Sequence, residues 1–154
     1  TLDWYFDFVS PFAYLQMRQL LARPPDVELR FHPVLLAAVL NHWGQLGPAE
    51  IPPRRTFTYR QIVWRARREQ RTRQGCSKTA DPDIKDALRR NTENAIGRGV
   101  FGVPTAIVDG ELFWGFDATE MLFEYCSNPR MFADTEMQRV SALPIAAARV
   151  PARK

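Results

Sequence analysis

Cysteine is scarce: Cys76 and Cys126 are the only two in 154 residues. They stand far apart in unrelated contexts, which excludes a disulfide framework, a CxxC redox pair and a cysteine metal cluster. Such usage fits a reducing, cytoplasmic compartment. Long apolar runs are lacking as well. The longest, Val34 to Leu40, is far too short to span a bilayer, and no charged start leads into an apolar stretch of leader length, so neither a membrane nor export is expected. Histidine is limited to His32 and His42. His32 ends a strand and suits a structural hydrogen bond, and His42 lies in a loop beside Trp43, so neither is assigned to catalysis.

Acidic residues are the minority, 17 against 21 basic ones, for a net charge of +4. Eight arginines fall between Arg54 and Arg73. Neither an aromatic-interleaved RNA motif nor paired zinc ligands accompany them. They read as the solvated face of an amphipathic helix, or as a seat for a small anion, rather than as a nucleic-acid surface.

What is present is enough for one domain: 45% of the residues are hydrophobic, sufficient at this length to bury a core without staples. Leu2, Trp4, Phe6 and Phe8 alternate with Asp3, Tyr5 and Asp7, the pattern of a strand with one buried face. Ser10-Pro11 then sets an N-cap before a proline at the first helical position. Ala13, Met17, Leu20 and Leu21 continue one apolar helical face until Pro24-Pro25. Val27, Leu29 and Phe31 alternate again, so strand, helix and strand predict a parallel crossover unit. Asn41 to Pro53 reads as a long loop leading into a helix from about Thr56 to Gln70. Another helix starts near Ala80-Asp81-Pro82, carries Ile84, Ala87, Leu88, Ala95 and Ile96 on one face, and stops at Gly97 and Gly99. Val103 to Val108, Asp109-Gly110 and Glu111 to Trp114 give the clearest hairpin signal. A last helix runs from about Asp117 to Cys126, beyond which periodicity fades, and Ala142 to Lys154 reads as a tail. This order predicts an α/β, thioredoxin-like fold.

Two places carry chemistry. Ser10 sits where the first strand gives way to the first helix, at the carboxyl end of a parallel strand, where ligands of open α/β sheets collect. An anion there meets free backbone N–H groups and the positive end of the helix. Its turn reads Ser10-Pro11-Phe12-Ala13 and cannot do dithiol chemistry. By itself Ser10 is equally well explained as a plain cap. The second place is Val103-Pro104-Thr105, where that fold keeps a cis-proline whose preceding residue offers its backbone to an extended peptide. Trp4, Tyr5, Phe12, Trp43 and Phe116 are candidate aromatic walls or ordinary core.

Tyr5 to Leu15, Asn91 to Ala95, Val100 to Thr105 and Phe113-Trp114-Gly115-Phe116-Asp117 together resemble the 2-hydroxychromene-2-carboxylate isomerases, a family related to the kappa-class glutathione transferases and to DsbA-type thioredoxin folds. Gly44 to Pro48, followed by Pro52-Pro53-Arg54-Arg55, is similar to the family's glutathione loop. The resemblance implies glutathione as cofactor, with its cysteine backbone paired to Val103 beside Pro104 and its thiol near Ser10. It also implies Asp117 as the carboxylate for the glutamyl end, Gln45 where relatives have asparagine, and Arg54, or its neighbour Arg55, in place of a lysine that binds a glutathione carboxylate. A small aromatic substrate and a homodimer follow from the same resemblance.

The implied reaction interconverts 2-hydroxychromene-2-carboxylate and trans-o-hydroxybenzylidenepyruvate in aromatic catabolism, with transient addition of the thiolate to a conjugated carbon. A free thiol with a pKa near 8.5 is only about 3% ionised at pH 7, and lowering it to about 6.5 takes about 2.7 kcal/mol. A helix start supplies about 0.3 to 1 kcal/mol and a hydrogen bond to a charged group about 1.5 to 3, so Ser10 and its helix suffice together.

Relatives insert a helical domain between the loop helix and the helix near Asp81. Here only Glu69 to Ala80 stands in its place, so a thioredoxin-like glutathione-binding domain over 1–127 and a tail over 128–154 are expected. A discontinuity is expected between Glu69 and Lys78, with apolar helix surface bare beside it. A kappa-class-like glutathione transferase and a degenerate glutathione-binding module without activity are the competing readings.

Overall fold

In the computed structural model, residues 1–23, 25–68 and 82–144 are described, without the side chains of 82–84. The first strand, β1 (Leu2–Phe6), leads through a turn into α1 (Pro11–Ala22), and β2 (Leu29–Pro33) returns parallel to β1. α2 (Leu36–His42), α3 (Pro52–Arg68) and α4 (Pro82–Gly97) follow, then the hairpin β3 (Thr105–Val108) and β4 (Glu111–Trp114). A 3-10 turn at Phe116–Ala118 opens α5 (Thr119–Ser127), and a second at Pro129–Ala133 precedes α6 (Thr135–Ser141). The four strands lie in the order β2-β1-β3-β4, with β3 antiparallel to both its neighbours. This is the thioredoxin-like α/β arrangement that the order of motifs predicts.

Local sequence explains most of these elements. Ser10 caps α1 with its hydroxyl accepting from the Ala13 N–H, and Pro11 supplies a first residue whose missing N–H costs nothing. The hairpin turns on Asp109 and Gly110, at φ 51° and 89°, the two positive values a type I′ turn requires. α6 begins at Asp134, whose carboxylate accepts from the Glu136 N–H, although no periodicity marks it.

The sheet is covered on both faces, which corrects the expectation of a single buried face for β1. Leu2 and Trp4 pack with Leu20 of α1, Ala106, Val108 and Phe113 of the hairpin, and Leu122 and Phe123 of α5. Tyr5 and Ile107 point the other way, to Val34, Ala95 and Val100. Tyr5 is as fully buried as Leu2 because β1 is a central strand. α3 buries none of its residues, as does the short α6, and on α3 Phe57, Tyr59, Val63 and Trp64 are exposed. The expected bare helix surface is therefore found, while the expected discontinuity from Glu69 to Lys78 lies outside the described residues.

Candidate functional site

β1 ends beside the start of β3 and the end of β4, because Tyr5 pairs with Thr105 and Thr105 with Trp114. Three connections consequently open at one end of the sheet: the Ser10 turn, Val103-Pro104, and Gly115 to Asp117. The Gly115 N–H donates to the Pro104 carbonyl at 2.8 Å and ties the last two together. The Val103–Pro104 peptide is cis, as the sequence predicts. Among the described residues, neither the N–H nor the carbonyl of Val103 has a hydrogen-bond partner. Half-buried and unpaired, that backbone is an open rung on which an extended peptide can pair.

Ser10 is 8% exposed, its N–H bonded to the Asp7 carbonyl and its own carbonyl accepting from Tyr14. The hydroxyl accepts from Ala13 at 3.3 Å, a long contact that leaves its own proton free to donate outward. No acidic residue occupies the first turn of α1, so the positive end of the helix is not neutralised there. Asp7, which sequence reasoning took only as a strand residue, is a joint of this corner. Its carboxylate accepts from Val9 at 3.0 Å within the turn and from Leu36 at 2.8 Å at the start of α2.

Gly115 has φ 92°, and a Cβ there would stand 2.7 Å from Oδ1 of Asp117, so the exposed Asp117 carboxylate folds back over the glycine. Gly102 is closed in the same way by Trp114, whose Nε1 would lie 2.5 Å from an added Cβ. Phe101 and Trp114 meet with ring centroids 4.9 Å apart and their planes tilted by 55°. Gln45 is exposed just after α2. Trp43, two residues before it, donates Nε1–H to the Val100 carbonyl at 2.9 Å, which holds this loop to the segment leading into Val103. Arg54 and Arg55 are exposed in the first turn of α3, and among the described residues no hydrogen bond or ion pair of their side chains joins them to the group at the sheet end.

The candidate aromatic walls divide. Trp4 and Tyr5 are fully buried in the two cores, whereas Phe12 is partly buried on the first turn of α1 and Trp43 is exposed. Phe8, which alternation assigned to a strand, and Val9 are exposed on the turn before Ser10 and are apolar surface at this end. His32 makes the structural contact expected of it, 2.9 Å from Asp3, and His42 only meets the Trp43 ring edge-on. Burial, with Asp109 nearby, pushes the half-buried Cys126 thiol up, which keeps it protonated and inert. Cys76 lies outside the described residues. Among the described residues no His, Cys, Asp and Glu cluster could hold a metal ion, and no helix is long and apolar enough to cross a membrane.

The DSBA-like thioredoxin domain family model matches residues 1–72 and 71–126, most of the chain. The chain is also similar to a protein of Sphingobium xenophagum named 2-hydroxychromene-2-carboxylate isomerase. The two are 25% identical over 190 residues, covering 81% of this chain and 97% of the relative. Among solved structures it resembles a 2-hydroxychromene-2-carboxylate isomerase at a TM-score of 0.69 and 20% identity, covering 86% of this chain and 98% of the other.

Proposed function

The chain belongs to the DsbA-like thioredoxin domain family, and from that premise we propose that it is a glutathione-dependent isomerase. Its substrates would be small conjugated aromatic acids of the 2-hydroxychromene-2-carboxylate and trans-o-hydroxybenzylidenepyruvate kind. The observation that carries this reading is the meeting, at one sheet end, of Ser10 in place of a cysteine, the unpaired Val103 backbone beside Pro104, and Asp117. Kinship with isomerases by sequence and by fold supports it.

These residues fit glutathione. Val103 offers a donor and an acceptor to the tripeptide's cysteine backbone, and Asp117 offers a carboxylate to its glutamyl ammonium. Ser10 offers a hydroxyl and a helix start to the sulfur. Gln45 and Arg54, on flanking segments, complete the set as the resemblance implies. Glutathione would supply a thiolate able to add reversibly to a conjugated carbon, which turns a double bond into a rotatable one. The protein's part is to hold that sulfur ionised: Ser10 Oγ–H donates to it and the α1 N-terminus faces it. Neither requires Ser10 to act as a nucleophile. The same reading makes the protein a cytoplasmic homodimer, with no nucleic-acid or membrane partner.

The domain reading, a glutathione-binding unit over 1–127 that lacks most of the relatives' helical insertion, belongs to this proposal. Two observations support it. The alignment with the relative, 190 residues, is longer than this chain, and the two family-model matches meet at 71–72, beside the end of α3. A second reading, a glutathione-binding module without turnover, is favoured by the wholly unburied α3. Calorimetric titration with glutathione, then isomerisation assayed with and without it, separates the two. Binding with glutathione-dependent turnover supports the enzyme, binding without turnover supports the module, and absence of binding overturns both.

A further inference from the structure

Arg65 lies near the end of α3 and reaches the turn that carries Asp117. Its guanidinium carbon stands 4.8 Å from the ring centroid of Phe116. Its Nε is buried and makes no hydrogen bond, and among the described residues Arg65 has no ion pair. A guanidinium stacked on a ring spends its π face on the ring and keeps its in-plane N–H edge for a planar, two-oxygen acceptor. The platform is firm. Phe116 is 8% exposed, its carbonyl accepts from the Thr119 hydroxyl, and the neighbouring Gly115 carbonyl accepts from Gln16 at 2.9 Å.

Asp117 follows Phe116 directly and likewise has no ion-pair partner among the described residues, Arg65 included. Among the described residues, an unpaired cation thus sits on the Phe116 ring and an unpaired carboxylate belongs to the next residue, from two different elements. A simple anion such as phosphate would be repelled by Asp117, and a simple cation by Arg65. An α-amino acid terminus, with ammonium and carboxylate on one carbon, satisfies both.

Resting on the glutathione reading, we propose that Arg65 is a further binding residue of that site, receiving the α-carboxylate of the γ-glutamyl group while Asp117 receives its ammonium. Arg54 and Arg55 carry no such stacking, which separates Arg65 from the cationic residues that the family resemblance picks out.

The test is calorimetric binding of glutathione and of 4-aminobutanoyl-Cys-Gly, which lacks only the α-carboxylate, to the wild type, Arg65→Gln and Arg65→Lys. The wild type is expected to prefer glutathione by about 10- to 100-fold, the worth of a hydrogen bond to a charged group. Arg65→Gln should lose that preference without weakening the analogue, and Arg65→Lys, lacking the fork, should restore only part of it. Because α3 buries no residue, Arg65→Gln should stay folded, which an unchanged circular-dichroism melt verifies. Equal binding of both ligands by the wild type, or a preference surviving in Arg65→Gln, overturns the assignment and leaves the glutathione reading standing. Failure of the wild type to bind glutathione overturns both.

Discussion

Gln16 of α1 donates its Nε2–H to the carbonyl of Gly115, 2.9 Å away and ninety-nine residues later in the chain. The same buried amide donates to the Thr119 hydroxyl at 3.0 Å and accepts from Trp4 Nε1 at 2.7 Å. One side chain thereby fixes the helix that Ser10 caps against the turn that presents Asp117. Each polar atom of Gln16 is used, and none can be replaced by water in a fully buried position.

Gln16→Leu should therefore destabilise the fold well beyond an ordinary surface change. The Trp4 indole N–H and the Gly115 carbonyl would be left without partners, at about 1 to 3 kcal/mol for each orphaned group. A net loss of about 3 kcal/mol lowers Tm by about 6 to 12 °C for a chain of this size. A melt within about 2 °C of the wild type would show that the network contributes little.

Gly115→Ala is expected to act on the site itself. A φ of 92° is strained for alanine, and the new Cβ would stand 2.7 Å from Asp117 Oδ1, forcing the carboxylate off its present position. The expected outcome is a loss of about 1 to 2 kcal/mol in stability, together with weaker glutathione binding. Urea unfolding and calorimetry read the two effects separately. Glutathione affinity equal to that of the wild type would remove Asp117 from the binding surface.

Much of this was legible in the sequence because the signals were local. Period-2 alternation located β1, Ser10-Pro11 located the start of α1, and Asp109-Gly110 located the hairpin. α2 was not legible, and its start shows why. Leu35 at its N-cap has no capping side chain, and the orphan N–H groups go instead to Thr92 Oγ1 and to the Asp7 carboxylate, from α4 and from the end of β1. A helix capped by residues 57 and 29 positions away carries no local start signal. Gln16 was hidden for the complementary reason, since a polar residue on a helix reads as solvated until the fold closes around it. Ser10, Val103, Pro104 and Asp117 were legible as a set only through their motifs. The sheet register then gives the physical reason that they share one end.

Acid should expose the network on the opposite face. Asp3 bonds Arg98 at 2.6 Å and His32 at 2.9 Å, and Arg98 also bonds the buried Tyr5 hydroxyl at 2.7 Å. Burial alone would raise the Asp3 carboxyl, but the hydrogen bonds and charges of Arg98 and His32 outweigh it and hold the carboxyl below its usual range. A lowered folded-state pKa contributes stability that is present above the unfolded value, near 3.9, and is lost as pH falls through the folded one. Asp3→Asn is expected to cost about 1 to 3 kcal/mol at pH 7, and the gap to the wild type should narrow at about pH 3. Urea unfolding at both pH values checks this. A gap independent of pH would mean that packing, rather than charge, is what Asp3 provides.

Ser10→Ala separates the capping role of this residue from its proposed role toward the thiol. Removing the cap costs about 0.5 to 2 kcal/mol of stability, because the Ala13 N–H loses its acceptor. Losing a hydrogen bond to a thiolate worth about 1.5 to 3 kcal/mol should lower turnover by about 10- to 100-fold. Glutathione affinity should hardly change, since Val103, Asp117 and Arg65 are untouched. The two roles leave different traces: a plain cap moves Tm and leaves the thiolate absorbance of bound glutathione where it was. Loss of a residue that ionises the sulfur moves the pH at which that absorbance appears upward. If Ser10→Ala lowers Tm while the absorbance profile and the rate both stay put, Ser10 is a cap and the sulfur must be ionised by the helix start alone.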